Sequence, residues 1–474
     1  MNTERESMNG PKTEPDTRSA RLKALPSVDA LLGDARVTAL LAKVPRRLAL
    51  IVIRDYLDEL REAILADRRV EFGPATLVAR VERQASRSLG RAINALGVVL
   101  HTGLGRAALS KVAQDSLHNV SESFCNLAID LETGRRGERY AHVARLLCEL
   151  TGAEAAMVVN NNAAATMLIL NTLAEGREVI ISRGQLVEIG GAFRMPDIMQ
   201  RSNVRMVEVG TTNRTHLKDY RAAITPQTAL LVRVHMSNYK IVGFTREVPL
   251  ADLVALGREF KLPVVDDLGS GALIDLARYG LPKEPTVQES VVAGADVVCF
   301  SGDKLIGGPQ AGIIVGKRPY VEQLKKNPLT RALRCGKLTY AALEATLRLF
   351  FDEERLLREH SVLSVLCKPL SVMEAAAGEL LVACQDLAPK AGFALRDGMS
   401  EIGGGSLATE QLPSKLVAIK PKSLSADELA RRLRLVEPPV FTRIERDAVV
   451  LDFRTIRNDE VAIVAQALHR ALNA

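Results

Sequence analysis

A lysine follows a predicted buried strand in the segment SGDKLIGGPQAG, residues 301–312. Ser301 comes three residues before Lys304, and glycines follow at positions 307, 308 and 312. Glycine carries no side chain, so it lets a backbone pass close to a bound molecule. A lysine amine can form a Schiff base with a carbonyl group. The segment therefore predicts a lysine that reacts with a ligand in a loop with little room for side chains.

Polar side chains follow three further apolar runs that the sequence predicts as strands. They are Asn160, Asn161 and Asn162 after AAMVV, His235 and Asn238 at and after the end of ALLVRVH, and Asp266 and Asp267 after LPVV. In domains built on a parallel sheet, ligands bind at the carboxyl ends of the strands. Taken singly, Lys304 would be a solvated lysine and Asp266 a helix cap or surface carboxylate. Together they predict one shared ligand.

Pyridoxal 5'-phosphate requires this set of groups. Its aldehyde reacts with a lysine, here Lys304, and its pyridinium nitrogen needs a buried carboxylate. Its phosphate suits the helix start at the three asparagines, to which Ser301 is expected to add a contact. We expect Asp266 at the pyridine nitrogen because it comes first at the strand end, with Asp267 as the alternative. His235 is expected to stack on the ring, to hydrogen-bond to it, or to have no role, and an Asn such as Asn238 suits the ring oxygen.

The chain divides into regions of different patterning. Residues 1–20 are polar and are predicted to be a disordered tail. Residues 21–90 have helical periodicity with basic residues on the polar positions, which indicates either a solvated face or a surface for a phosphate backbone. Residues 91–345 alternate short Val/Ile-rich runs with helical stretches, which predicts a large α/β domain with a mostly parallel sheet. Residues 346–474 predict a helix followed by a small α+β domain whose strands are SKLVAIK, VFTRIE and AVVLDFR.

Composition excludes several classes of protein. Of 474 residues, 47% are hydrophobic and 25% charged, which is typical of globular proteins. No apolar run is long enough for a membrane span, and the polar N-terminus is unlike a signal peptide, so we expect a cytoplasmic protein. The six cysteines lack metal-ligand spacing, and no metal is expected. The net charge of +7 is compatible with a polyanionic partner.

The motifs together resemble a known family. They are GRAINALGVVLHTGLGRAALS, VVNNNAAA, SRGQLVEIGGAFRMPDIM, HMSNYKIVGF, DDLGSG and SGDKLIGGPQAG. From about residue 21 to the end, the chain is similar to the bacterial selenocysteine synthases, which are L-seryl-tRNA(Sec) selenium transferases. The resemblance implies fold type I of the enzymes that depend on pyridoxal phosphate. It also implies a helical N-terminal domain that recognises tRNA and a homodecamer built from dimers, with neither DNA nor a membrane as partner.

The resemblance implies a reaction as well. L-seryl-tRNA(Sec) loses its hydroxyl group through a cofactor-bound aminoacrylyl intermediate, and selenium from selenophosphate then gives L-selenocysteinyl-tRNA(Sec). Lys304 is the implied proton carrier. Arg106, Arg331 and Arg334 match the arginines that bind the selenium donor, and three guanidinium groups suit a phosphate-like oxyanion. The carboxylate of the serine is an ester in this substrate, so these arginines need not bind it.

Two other interpretations stay open from the sequence. One is a lyase or transferase that uses pyridoxal phosphate on a free small amino acid or amino sugar acid, for which the helical region 21–90 has no evident use. The other is a tRNA-binding protein without catalytic activity, against which the presence of Lys304 and the acid pair argues. Arg331 and Arg334 could also be an ordinary surface pair.

Overall fold

The computed structural model describes residues 17–42, 44–68, 70, 72–85, 88–190, 193–407 and 409–473. The chain forms two compact units, Met1–Arg91 and Ala92–Ala474. Most of the predicted tail, residues 1–20, lies outside the described residues, and its last four residues belong to the first helix. Within the described residues, no helix combines the length and apolar character needed to cross a membrane.

The first unit is helical. Its helices are α1 (Thr17–Lys23), α2 (Val28–Leu32), α3 (Ala35–Leu41), α4 (Arg46–Leu65) and α5 (Pro74–Ala85). Ile53 and Leu57, one helical turn apart on α4, are fully buried against the other helices. Arg80 of α5 lies over the ring of Tyr56, 4.6 Å from its centroid. This packing leaves the opposite face of α4 exposed, including Arg54.

The second unit contains two main sheets and the remaining helices. The strands are β1 (Ile93–Ala95), β2 (Ala155–Val159), β3 (Glu178–Ser182), β4 (Glu188–Ile189), β5 (Phe193–Arg194), β6 (Arg205–Val209), β7 (Thr228–Val234), β8 (Val264–Gly269), β9 (Val297–Ser301), β10 (Gly312–Gly316), β11 (Ala391–Glu401), β12 (Gln411–Pro421), β13 (Val440–Glu445) and β14 (Ala448–Asp452). The helices are α6 (Lys111–Glu122), α7 (Ala141–Thr151), α8 (Asn162–Ala174), α9 (Met195–Arg201), α10 (Leu217–Ala223), α11 (Leu250–Phe260), α12 (Val287–Ala293), α13 (Arg318–Lys326), α14 (Leu329–Ala332), α15 (Lys337–Leu349), α16 (Glu353–Glu359), α17 (Leu363–Leu366), α18 (Leu370–Ala383), α19 (Ala426–Leu435) and α20 (Val461–Asn473). Short 3₁₀ turns lie at Thr102–Leu104, Arg183–Gln185, Leu276–Tyr279, Gln385–Leu387 and Asn458–Glu460.

The large sheet has the order β2-β10-β9-β8-β7-β3-β6. Only β10 among these strands runs antiparallel to its neighbours, so the predicted mostly parallel sheet is confirmed. The residues of β2, β9 and β10 are buried along their whole length because helices cover both faces. The carboxyl ends of β7, β8 and β9 meet at one edge, which is where the sequence predicts the site.

The second main sheet has the order β1-β13-β14-β12-β11. Helices α18, α19 and α20 pack on it through a core that includes Leu380, Leu429 and Leu468. Strands β12, β13 and β14 match predicted strands, whereas β1 and β11 were not predicted. Residues 93–95 pair with β13 in this sheet, although the predicted boundaries put them in the large domain. Glycines and charged residues interrupt β11, so its sequence lacks the alternation that would have identified it.

Candidate active site

Lys304 lies in the connection between β9 and β10 and is only 3% exposed. Its side chain lies against Gly405, in the loop between β11 and β12: a Cβ atom at Gly405 would be 2.4 Å from Lys304 Nζ. Burial and, next, the positive charge of Arg106 together lower the pKa of Lys304 to about 8, against the opposing charges of nearby carboxylates. The site therefore holds an amine that gives up its proton more easily than an ordinary lysine.

Asp267 is the carboxylate on the Lys304 side of β8. Its Oδ1 accepts hydrogen bonds from Asn162 Nδ2 at 2.8 Å and from the Gly269 amide at 3.1 Å. Its Oδ2 accepts from Thr166 Oγ1 at 3.0 Å. Burial raises the pKa of Asp267, and these side-chain hydrogen bonds and the charge of Lys304 oppose the rise. Asp267 is thus a buried, oriented carboxylate that interacts with the lysine.

Asp266 lies on the other face of the sheet. It pairs with Arg233 Nη1 at 2.9 Å and accepts from Ser290 Oγ at 2.6 Å. Successive side chains of a strand point to opposite faces, so Asp266 and Asp267 cannot share one site. The expectation that Asp266, as the first of the pair, lies with Lys304 is therefore wrong.

The three asparagines surround the start of α8. Asn161 caps the helix by accepting from the Ala164 amide at 2.8 Å. Asn162 reaches Asp267, and its own Oδ1 is buried without a hydrogen-bond partner. Asn160 is exposed, and its amide donates to the Leu333 carbonyl at 3.0 Å. The helix start leaves free backbone N–H groups beside these amides, an arrangement that suits an anion.

His235 directly follows β7 and lies next to Asp267, whose carbonyl accepts from the His235 amide at 2.8 Å. Its Nε2 lies 3.2 Å from Oε1 of Glu284, which is 2% exposed. Asn238 donates to the Glu188 carbonyl at 2.7 Å, and its Oδ1 is buried without a partner. Ser301 is buried at the end of β9, opposite Gly312. His235 and Asn238 thus flank the same sheet edge. Ser301 lies at the start of the connection that carries Lys304.

The predicted arginines fall into two groups. Arg106 Nη1 lies 2.8 Å from Asp303 Oδ2, beside Lys304. Arg334 lies close enough to two other arginines to be affected by their charges. Desolvation lowers the pKa of Arg334, and the positive charges of Arg139 and, to a smaller extent, Arg331 lower it as well. Its backbone bridges to Val159, at the end of the strand that leads into α8. Within the part of the chain that the structure describes, no carboxylate lies within salt-bridge distance of Arg331 or Arg334.

Several residues of the site were not predicted. Thr166 lies four residues after Asn162, one turn along α8, so helical spacing could have identified it. Arg139, Glu284 and Gly405 lie in loops without periodic patterning, and only the fold brings them to the site. Arg454, on the segment that follows β14, donates to the carbonyls of Val365 and Leu366, both at 2.9 Å.

Sequence comparison matches nearly the whole chain to known proteins. A family model described as L-seryl-tRNA selenium transferase matches residues 92–457, and one described as selenocysteine synthase N terminal matches residues 22–61. The chain is 49% identical over 451 residues to the L-seryl-tRNA(Sec) selenium transferase of Geobacter sulfurreducens, covering 94% of this chain and 98% of that protein. It is 46% identical over 456 residues to that of Alkaliphilus metalliredigens, with coverage of 94% and 98%.

A solved structure of D-glucosaminate-6-phosphate ammonia-lyase matches with a TM-score of 0.56 and 18% identity, covering 81% of this chain and 96% of that one. At that identity the likeness concerns the fold alone. The predicted fold class, fold type I with a helical N-terminal region, is confirmed. Because one family model spans most of the chain and close relatives are matched over nearly their full length, the chain belongs to the L-seryl-tRNA selenium transferase family.

Proposed function

We propose that the protein converts L-seryl-tRNA(Sec) to L-selenocysteinyl-tRNA(Sec), with pyridoxal 5'-phosphate as cofactor and selenophosphate as selenium donor. The observation that carries the proposal is the pair formed by Lys304 and Asp267. A buried amine with a lowered pKa interacts with a buried, hydrogen-bonded carboxylate at the carboxyl edge of a parallel sheet. The names of the relatives, which are similar over nearly their whole length, support the same reaction.

The residues of the site fit pyridoxal phosphate. Lys304 would hold its aldehyde carbon, Asp267 its pyridine nitrogen, and the start of α8 its phosphate. Asn162 and Asn238 each have a buried amide oxygen without a partner, which leaves acceptors for polar groups of a ligand. When bound, the cofactor supplies a carbonyl group and a ring that withdraws electrons from the substrate.

Lys304 is the group that moves a proton at the substrate α-carbon. With a pKa of about 8, about a tenth of the amine is unprotonated at pH 7, far more than for an ordinary lysine. A group whose pKa lies near the working pH is an efficient general base and, once protonated, an efficient acid. Burial and Arg106 thus tune Lys304 for both directions of the transfer.

The arginines are proposed to bind the selenium donor. Arg331, Arg334 and Arg139 hold three positive charges together, and an oxyanion would relieve their repulsion. Arg106 lies at the lysine itself and could contact the donor at the reacting end. Since seryl-tRNA carries an ester, the substrate offers no free carboxylate to compete for these guanidinium groups.

The helical N-terminal unit is proposed to recognise tRNA. Basic side chains on the α4 face and just after it are exposed, where phosphates can reach them, although Arg61 also pairs with Asp58 at 2.6 Å. They are Arg46, Arg47, Arg54, Arg61 and Arg68. Arg69, another basic residue of the region 21–90, lies outside the described residues. We further propose a cytoplasmic homo-oligomer, a homodecamer by resemblance. Large exposed apolar residues in the second unit support it, notably Phe124, Leu131, Val242 and Phe244.

The test is the visible spectrum of the full-length protein with added cofactor. A band from lysine-bound cofactor that Lys304→Ala removes is expected. Seryl-tRNA(Sec) should shift this band and free serine should not. If free serine shifts it equally, the protein is a lyase or transferase of free amino acids. If the wild-type protein has no such band, the proposed function is wrong.

A further inference from the structure

The imidazole of His360 joins two segments that are distant in sequence. Its Nε2 lies 2.8 Å from the carbonyl oxygen of Ile306, two residues after Lys304. Its Nδ1 lies 3.2 Å and 3.1 Å from the amide nitrogens of Val362 and Leu363, at the start of α17. The side chain is completely buried.

These contacts fix the protonation state of the ring. Backbone amides can only donate, so Nδ1 accepts from Val362 and Leu363 and carries no hydrogen. The Ile306 carbonyl can only accept, so Nε2 carries the hydrogen. A protonated ring would direct a second N–H at two other N–H groups. His360 is therefore a neutral imidazole with a single allowed tautomer, and both of its nitrogens are used.

The ring also defines the shape of the turn after the lysine. Gly307 has φ of +65°, and a Cβ atom there would lie 2.4 Å from Cε1 of His360. The Gly307 amide donates to the Lys304 carbonyl at 2.9 Å, which closes the turn. On its other side the ring meets the edge of Phe350, with centroids 5.3 Å apart and planes at 82°. The glycine is needed because the imidazole occupies the space of a side chain.

Other hydrogen bonds hold the connection between β9 and β10 at different residues. The Leu305 amide donates to Ser270 at 3.3 Å and the Gly308 amide to Gly302 at 2.9 Å, both within the large-sheet region. His360 alone among the described side chains bonds the carbonyl of Ile306, and it ties the turn to the segment between α16 and α17. Ser361, next to it, donates to the Gly307 carbonyl at 3.4 Å.

We propose that His360 is a positioning residue for Lys304: its neutral ring ties the turn that follows the lysine to the start of α17 and so sets where the amine lies. The proposal rests on the proposed function of Lys304. Both ring nitrogens of His360 bond to backbone groups rather than to that amine, so the residue acts through the backbone of Ile306 and Gly307. Histidine suits this role because one rigid ring offers a donor on one side and an acceptor on the other.

Three substitutions separate the two hydrogen bonds in the full-length chain. His360→Gln can place an N–H where Nε2 lies and keep the bond to Ile306. His360→Asn can accept from Val362 and Leu363 but does not reach Ile306. His360→Phe keeps an aromatic ring and loses both bonds. Each variant is compared with the wild type by thermal unfolding, by the affinity for pyridoxal phosphate, and by the pH midpoint of the lysine-bound cofactor band.

We expect the Gln variant to keep the wild-type midpoint and to bind cofactor within about threefold of the wild type. The Asn and Phe variants should bind at least about tenfold more weakly and shift the midpoint, because the Ile306 carbonyl loses its donor. Loss of thermal stability alone, with the same cofactor affinity and midpoint in all folded variants, would overturn the proposal. Equal behaviour of the Gln and Asn variants would also overturn it.

A readout without cofactor keeps this test independent of the proposed function. Amide hydrogen exchange in residues 302–311 of the cofactor-free protein should quicken in the Asn and Phe variants and stay unchanged in the Gln variant. If the wild type shows no lysine-bound cofactor, the function of Lys304 is wrong, and the exchange result still decides whether His360 holds the turn. Unchanged exchange in all three variants contradicts the role of His360.

Discussion

Asn162 Nδ2 lies 2.8 Å from Asp267 Oδ1, so an amide–carboxylate hydrogen bond joins the start of α8 to the end of β8. The bond orients the carboxylate and places it beside the helix N-terminus that is proposed to hold a phosphate. One side chain therefore couples the two ends of the cofactor site. This relationship also separates Asp267 from Asp266, whose described hydrogen bonds go to Arg233 and Ser290 instead.

Asp267→Asn and Asp266→Asn should fail in different ways. The Asp267 variant loses the carboxylate that is proposed to bind the pyridine nitrogen, and we expect activity to fall on the order of 10²-fold or more with folding retained. The Asp266 variant replaces the negative charge that pairs with Arg233 by a neutral amide. We expect a loss of about 3 kcal/mol in unfolding free energy, because the arginine is left without its counter-charge. Denaturant unfolding and single-turnover assays distinguish them. Equal activity losses in two equally stable variants would contradict the assignment.

Gly405→Ala should displace the Lys304 amine. The added Cβ would lie 2.4 Å from Nζ and 2.7 Å from Cε, and the flexible lysine can move away, so the fold survives. We expect the lysine-bound cofactor band to weaken at least about tenfold, with about 1–2 kcal/mol of strain from the positive φ.

Two control variants separate these effects. Gly404→Ala has nothing within 4 Å of the new Cβ and should leave the spectrum unchanged. Gly280→Ala places an alanine at a similar positive φ where the new Cβ meets nothing, so it should lower the stability of the fold and leave the spectrum unchanged. A normal spectrum in the Gly405 variant would show that the amine does not depend on this contact.

Arg106→Ala should raise the pKa of Lys304. The substitution removes a positive charge that lowers this pKa and frees Asp303, whose charge raises it. Lysine condenses with an aldehyde as the neutral amine, so the rate of cofactor attachment in the wild type should rise with pH and level off above about 8. In the variant this midpoint should move to higher pH. Arg331→Ala is the control, because Arg331 is not among the main groups that shift the pKa of Lys304. A midpoint in the Arg106 variant that is no higher than in the wild type would refute the prediction.

The buried, neutral ring of His360 should make the stability of the fold sensitive to acid. Burial lowers its pKa from 6.5 to about 4, so the unfolded chain binds the proton more tightly than the folded one. The contribution of the neutral ring to the unfolding free energy is fully present above pH 6.5 and is lost as the pH falls towards 4. At pH 5 the loss amounts to about 2 kcal/mol. His360→Gln removes the titrating group, so its unfolding free energy should fall less between pH 7 and pH 5 than that of the wild type. Parallel curves would contradict the neutral state of the ring.

Much of the fold followed from the sequence because buried parallel strands leave continuous apolar runs. The positions of Lys304 and Asn162 also followed, since polar residues at strand ends share one edge of a sheet. The choice between Asp266 and Asp267 depended on the pleat of β8, which an apolar run buried on both faces does not reveal. His360 meets Ile306 across 54 residues, and no local pattern signals such a contact.

The register of β10 limits how the gene for this protein can change. β10 pairs residue by residue with β9 and with β2, and all five of its residues are buried. Inserting or deleting one codon between positions 302 and 311 would either shift this strand, turning each side chain to the opposite face, or distort the turn at Lys304. Relatives should therefore keep the length of this ten-residue connection constant, and length variation should collect in surface loops away from it.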